Sequence, residues 1–278
     1  MGAIESRKKS TAPCREACPA GIDVPRYIRH IREGHFDRAL AVIRERIPFP
    51  FVCGYACVHP CETKCARIQY DQAVAIRMLK RVAAERGDGK PADPIKLSRT
   101  GKKIAVIGSG PCGLTAAYYL NGQGHSVTVY EALPLAGGML RYGIPEYRLP
   151  EDIVAREIDR IAAGGVAVVT GVRISSAESL LEKGFAAVFA ATGAWKPATM
   201  GIPGEDLDQV VDGLSFLTRI NEGNPPVIGQ KVVVVGGGNT AVDAARAAVR
   251  LGADVVQIYR RTRAEMPAGS EEISEAIE

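Results

Sequence analysis

Six cysteines stand within the first 65 residues of this 278-residue chain. Cys53, Cys57, Cys61 and Cys65 follow one another at C-x3-C-x3-C-x3-C spacing, and Cys14-x3-Cys18-Pro19 precedes them. A lone cysteine is usually a small buried apolar residue, but four at a regular interval ask for a shared ligand. Zinc prefers C-x2-C knuckles mixed with histidine, and His59 lies inside this block. Repeated C-x3-C with a C-P ending fits an iron–sulfur site better. Disulfides are not expected, because Met1–Ser10 is charged and has no apolar core of a secretory signal.

Two glycine loops carry the second kind of chemistry. Lys103–Ile107 is an apolar run followed at once by Gly108-Ser-Gly110-Pro-Cys-Gly113, then a helical pattern through Leu114, Ala117, Tyr118 and Leu120, then Ser126–Tyr130 and Glu131. G-x-G-x-x-G means little alone, but here it sits between a strand and a helix, as a dinucleotide site requires. Gly108 allows the tight turn, Gly110 the approach of a pyrophosphate and Gly113 close helix–strand packing, while Glu131 can take ribose hydroxyls. The pattern recurs at Lys231–Val235, Gly236-Gly-Gly238-Asn239-Thr240-Ala241, a helix over 241–251 and a strand over 255–259. The second strand ends differently, in Arg260 and Arg261. A carboxylate repels a ribose 2′-phosphate and guanidinium groups attract it. The first loop therefore suits FAD and the second NADPH; two arginines on a solvated loop are the bland alternative.

The elements that position these residues follow from periodicity. Asp23 is expected to cap a helix with Pro25 in its first turn and Tyr27, Ile28 and Ile31 on one face. Phe36, Ala39, Leu40 and Ile43 continue in a second helix. Asp71 is expected to cap a third, with Val74, Met78 and Val82 on one side and Gly87 at its end. Residues 87–103 read as a linker. Further on, a helix is expected over 151–163 and strands near 166–169 and 186–190.

Composition is that of an ordinary globular chain: 46% hydrophobic and 24% charged, and a length of about two domains. No apolar run approaches the roughly 18 residues of a membrane span, so a cytoplasmic protein without a span is expected. The net charge of +4 divides into +10 over residues 1–103 and −6 over residues 104–278. The basic charges are scattered among helical patterns rather than packed into a run, which argues against nucleic acid. Beside an anionic four-iron cluster they would offset its charge.

Taken in order, these segments resemble the glutamate synthase small (β) subunit family, to which the N-terminal portion of dihydropyrimidine dehydrogenase is related. The resemblance rests on Cys18-Pro-Ala-Gly-Ile-Asp-Val-Pro25, Cys53-Gly-Tyr-Ala-Cys-Val-His-Pro-Cys-Glu62, Val74–Arg81, the Gly108 loop, Gly137-Gly-Met-Leu-Arg-Tyr-Gly-Ile-Pro145, Ala191-Thr-Gly193, the Gly236 loop and Tyr259-Arg-Arg261. It implies an α/β fold: two Rossmann-like, doubly wound nucleotide-binding units after an all-α iron–sulfur domain. The expected boundaries are 1–86 for the helical 4Fe–4S domain, 87–103 for the linker, 104–195 for the FAD unit and 196–278 for a partial NAD(P)H unit. The C-terminal part of the family's fold is expected to be missing.

The resemblance also implies that Gly137, Gly138 and Met139 lie near the flavin, with Thr192 and Gly193 against it. One 4Fe–4S cluster is expected on Cys18, Cys57 and Cys61, with Cys53 as fourth ligand. Cys14 and Cys65 can join a second, completed from elsewhere. The family's other ligand positions fall here on Ser6, Lys9 and Lys80. The implied activity is an NADPH-dependent oxidoreductase passing electrons through FAD and the cluster to a partner subunit, the glutamate synthase large subunit or another redox complex. The alternative is a relay or scaffold subunit, or a fragment, without NADPH chemistry of its own. No acid–base catalytic residue is expected, since hydride transfer between bound cofactors mainly needs positioning.

Overall fold

Short helices broken by proline and glycine build the cysteine-bearing part. In a computed structural model of the chain, which describes residues 11–87 and 97–278, these helices are α1 (Pro13–Ala17), α2 (Val24–Arg32), α3 (Phe36–Arg44), α4 (Pro50–Ala56), α5 (Pro60–Thr63) and α6 (Ile76–Arg86). Ser6, Lys9 and most of the expected linker lie outside the described residues. The chain separates into two compact units, 1–97 and 98–278.

The Asp23 carboxylate accepts from the Arg26 N–H at 3.2 Å and caps α2 as expected. Its buried face seats Tyr27 in a core with Ile22, Val24, Ala39, Val42, Ile43, Cys61, Ile76 and Ala83. Tyr27 donates its hydroxyl to the Ile76 carbonyl at 3.0 Å, so the largest core side chain also satisfies its polar end. The third helix departs from its sequence reading. Asp71 caps nothing; it pairs with Arg67 across one turn and accepts from the Gln72 N–H. The helix starts at Ile76, five residues later, and turns Ile76, Lys80, Ala83 and Ala84 inward while Met78 is 46% exposed. Periodicity alone cannot tell which stripe of a short helix meets the core when a lysine stands on the buried one.

The second unit begins with β1 (Lys103–Ile107), α7 (Pro111–Gly122), β2 (Ser126–Tyr130), α8 (Met139–Tyr142), α9 (Glu151–Ala163), β3 (Ala167–Val169), α10 (Glu178–Glu182) and β4 (Ala187–Ala190). The strands form one parallel sheet in the order β3-β2-β1-β4. Val106 stands opposite Val129 on one side and Phe189 on the other. β1 is central and its Ala105 and Val106 are fully buried, as the near-continuous apolar run requires of a parallel strand covered on both faces. Then come α11 (Gly213–Asn221), β5 (Lys231–Val235), α12 (Asn239–Arg250), β6 (Asp254–Ile258) and α13 (Ser270–Ile277). β5 and β6 pair in parallel as a two-stranded sheet. Its outward face carries Val233, Val235, Val256 and Ile258, all half exposed or more. No helix among the described residues is long and apolar enough to cross a membrane.

Candidate cofactor sites

In the head, the C-x3-C spacing places cysteines on helices and at their ends. Cys14 lies on α1 and Cys18 caps it; Cys53 lies on α4 and Cys57 caps it; Cys61 lies on α5, and Cys65 precedes the 3-10 turn Ala66–Gln69. No disulfide joins any of the six. Burial pushes the Cys61 thiol up to about 11; the Lys80 ammonium opposes the rise, and Cys57, Cys18 and Glu62 add to it. Burial also raises Cys14, with Cys65 and Asp23 contributing. Cys61 thus lies within electrostatic reach of Cys18 and Cys57, and Cys14 within reach of Cys65. Buried thiols such as Cys14 and Cys61, with other cysteines close by, are stabilised as thiolates by a cationic iron centre, so the donor set fits the group. Lys80 is 5% exposed, the buried cation of this neighbourhood.

Sequence reasoning overlooked the turn between Cys57 and Cys61. His59 has φ +38°, the one non-glycine residue with positive φ among those described. That turn directs the His59 N–H onto the Cys57 sulfur at 3.3 Å. Glu62 fixes it from outside, accepting from the Arg77 N–H at 2.7 Å and lying 3.3 Å from His59 Nδ1.

In the second unit the Gly108 loop opens onto a cleft of about 890 Å³ at the C-terminal ends of β1, β2 and β4. Its walls include Gly108, Gly110, Glu131, Gly138, Met139, Thr192 and Gly193. The glycines are required by contact. A Cβ at Gly108, where φ is +102°, would stand 2.3 Å from the Ala191 carbonyl oxygen; one at Gly113 would stand 2.0 Å from that of Gly108. A Cβ at Gly138 would stand 2.7 Å from Gly110 Cα, so the two loops meet backbone to backbone. Gly137, with φ +132°, packs toward Arg141, Val154 and Ile158.

Glu131 is buried and well bonded. Its Oε2 accepts from the Ser109 N–H at 2.9 Å and the Ser109 hydroxyl at 2.5 Å, and its Oε1 accepts from the Leu133 N–H at 2.9 Å. Ser109 Oγ in turn accepts from the Gly137 N–H at 3.1 Å. Ser109 had no part in the sequence reading; being the variable x of G-x-G, it carries no motif signal. Arg173, Trp195, Lys196 and Cys112 also line the cleft, where the two cations suit a ligand bearing phosphates.

The second loop repeats the first at the start of α12. Asn239 and Thr240 form its first turn, two residues earlier than the sequence suggested, and Gly236 has φ +142°. Asn239 Oδ1 accepts from the Gly269 N–H at 3.1 Å. A Cβ on Gly237 would meet the Tyr259 ring at 2.6 Å, whereas around Gly238 the space is open. Arg260 and Arg261 are exposed just beyond β6, and Thr262 and Glu265 close the following turn with a reciprocal capping box.

Residues 102–278 match the pyridine nucleotide-disulphide oxidoreductase family. The chain belongs to that family. Residues 7–90 match dihydropyrimidine dehydrogenase domain II, 4Fe-4S cluster. The two matches bring FAD, NADPH and a 4Fe–4S cluster as cofactors, and the glycine cradles and thiol sets fit them. Among curated relatives, the NADPH-Fe(3+) oxidoreductase subunit beta of Geobacter sulfurreducens is 45% identical over 97% of this chain and 42% of its own length. The NADP(+)-dependent formate dehydrogenase subunit beta of Moorella thermoacetica is 44% identical over 96% and 42%. The glutamate synthase [NADPH] small chain of Azospirillum brasilense is 33% identical over 95% and 59%. The chain therefore spans less than two thirds of each of these relatives. Two solved structures share the fold: Mycobacterium tuberculosis FprA in complex with NADPH, with a TM-score of 0.54 at 23% identity over 63% of this chain and 47% of that one, and 2-naphthoyl-CoA reductase, with 0.56 at 22% over 94% and 36%.

Proposed function

We propose that this chain is the electron-input portion of an NADPH-dependent flavin and iron–sulfur oxidoreductase that serves a partner subunit, either a glutamate synthase large subunit or another redox complex. The observation that carries the reading is the coexistence of a thiol-rich head with two glycine-loop cradles whose strand ends differ in charge. When bound, FAD would supply hydride acceptance from NADPH and one-electron release to a cluster, which is why such groups occur together. The chain's own residues bind and orient. Gly108, Gly110, Gly113, Gly137, Gly138, Met139, Thr192 and Gly193 would form the FAD cradle, with Glu131 fixing its loop and standing where it would meet the ribose. Gly236, Gly238, Asn239 and Thr240 receive the nicotinamide dinucleotide's phosphates at the start of α12, with Arg260 and Arg261 for the 2′-phosphate. Cys18, Cys57 and Cys61 hold one cluster with Cys53, and Cys14 and Cys65 contribute to a second. The beta-subunit relatives support a partner subunit, and their variety leaves the acceptor to that partner.

The test is an anaerobic absorbance titration with NADPH, with iron, sulfide and flavin quantified. Bleaching of both flavin and cluster bands is expected. Full iron and sulfide with no response to NADPH would replace this reading with that of an electron relay.

A further inference from the structure

The last turn of α2 holds a cluster that electron transfer leaves unused. Gly34 takes φ +75° and the helix closes by two bonds: the Gly34 N–H donates to the Ile31 carbonyl at 2.9 Å and the His35 N–H to the His30 carbonyl at 2.8 Å. This Schellman closure brings the third residue from the helix end against the second residue past it, commonly an apolar pair. Here the pair is His30 and His35, with ring centroids 6.5 Å apart. Glu33 sits between them, its Oε2 3.8 Å from His30 Nδ1 and 3.6 Å from His35 Nδ1. Both separations exceed a hydrogen bond, so the three atoms converge without bonding one another. His30 Nδ1 is buried and has no hydrogen-bond partner, a state that a ligand would relieve.

Tetrahedral bonds of roughly 2.0–2.1 Å hold ligand atoms about 3.3 Å apart. The two gaps from Glu33 to the imidazoles need close by only a few tenths of an ångström, and one donor atom from each of the three residues lies within 4.8 Å of the others. Two imidazoles and a carboxylate suit zinc and its neighbours, and three protein ligands leave a fourth position for water. The helix C-terminus adds partial negative charge. Arg29 and Arg32 share this turn, so directed donors rather than net charge must hold the ion. We propose that His30, Glu33 and His35 bind one divalent metal ion of the zinc class and clip the corner between α2 and α3, apart from the cysteine sites.

Protein isolated anaerobically with its iron–sulfur content intact is dialysed against micromolar Zn2+, then examined by elemental analysis and zinc-edge X-ray absorption. One zinc per chain is expected, in a shell of nitrogen and oxygen at roughly 2.0–2.1 Å. His30→Ala and His35→Ala should each lose it with iron content unchanged, and Glu33→Gln should weaken binding at least tenfold. Sulfur in the shell, at roughly 2.3 Å, would put the zinc on the cysteines and overturn the proposal. So would zinc uptake that survives both histidine variants, or none in the unmodified protein. If the alanine variants also shed iron, Glu33→Gln decides alone, and unchanged affinity refutes the site.

Discussion

Ser109 ties together the two glycine loops of the Gly108 cleft. One hydroxyl donates to Glu131 and accepts from Gly137, so it joins the strand-end carboxylate to the second glycine loop. Ser109→Ala leaves buried polar groups short of a partner, at a cost of about 1–3 kcal/mol. The expected result is FAD binding weakened roughly tenfold or more, read by flavin fluorescence on reconstitution; an unchanged dissociation constant would mean that the loops hold each other without it. The role proposed for Arg260 and Arg261 belongs to the same scale but works by charge. Replacing both with alanine should reduce the preference for NADPH over NADH at least tenfold, mostly through KM. If steady-state rates with the two nucleotides keep their ratio, the 2′-phosphate is recognised elsewhere.

At the scale of elements, the join between the 145–149 segment and α12 sets how the second loop is presented. Arg148 is nearly buried, 2.5 Å from Asp243 and 3.1 Å from Glu272, and Arg246 reaches Glu272 at 3.0 Å. Burial pushes the Asp243 carboxyl up and Arg148 draws it back. Tyr147 adds its ring beneath Arg250, at 3.9 Å, and donates its hydroxyl to the Asp243 carbonyl. Arg148→Ala strands a buried carboxylate and should cost about 3–5 kcal/mol, seen as a lower urea midpoint; a loss under 1 kcal/mol would show that water replaces the guanidinium. Nothing in the sequence announced this network, because its members are far apart along the chain and each looks like an ordinary surface charge. The parallel sheet and both glycine loops were legible, since a short apolar run, a glycine turn and a helical stripe occur together and locally. The start of α6 was not, because Asp71 had a nearer partner in Arg67.

At the scale of the molecule, the halves differ in charge and in how they are stabilised. The 104–278 part is net acidic and rests on sheet and helix burial, while the head is a set of short helices around Tyr27 with thiols at their ends. Below roughly 70–80 residues such a core is marginal and a bound metal commonly completes it, and the head is little larger than that. The left-handed turn at His59 belongs to that bargain: it stores roughly 1–3 kcal/mol of backbone strain in order to aim one amide at the Cys57 sulfur. Hydrogen bonds to ligand sulfur set a cluster's potential, so with Cys57 as a ligand the peptide group at residue 59 would work as a voltage trimmer. His59→Gly keeps the turn and should leave the midpoint where it is. His59→Val, whose β-branched side chain resists positive φ, should swing the amide away and shift the midpoint to more negative values in a potentiometric titration. Equal midpoints for the two variants would show that this amide has no hold on the driving force for the electron's exit.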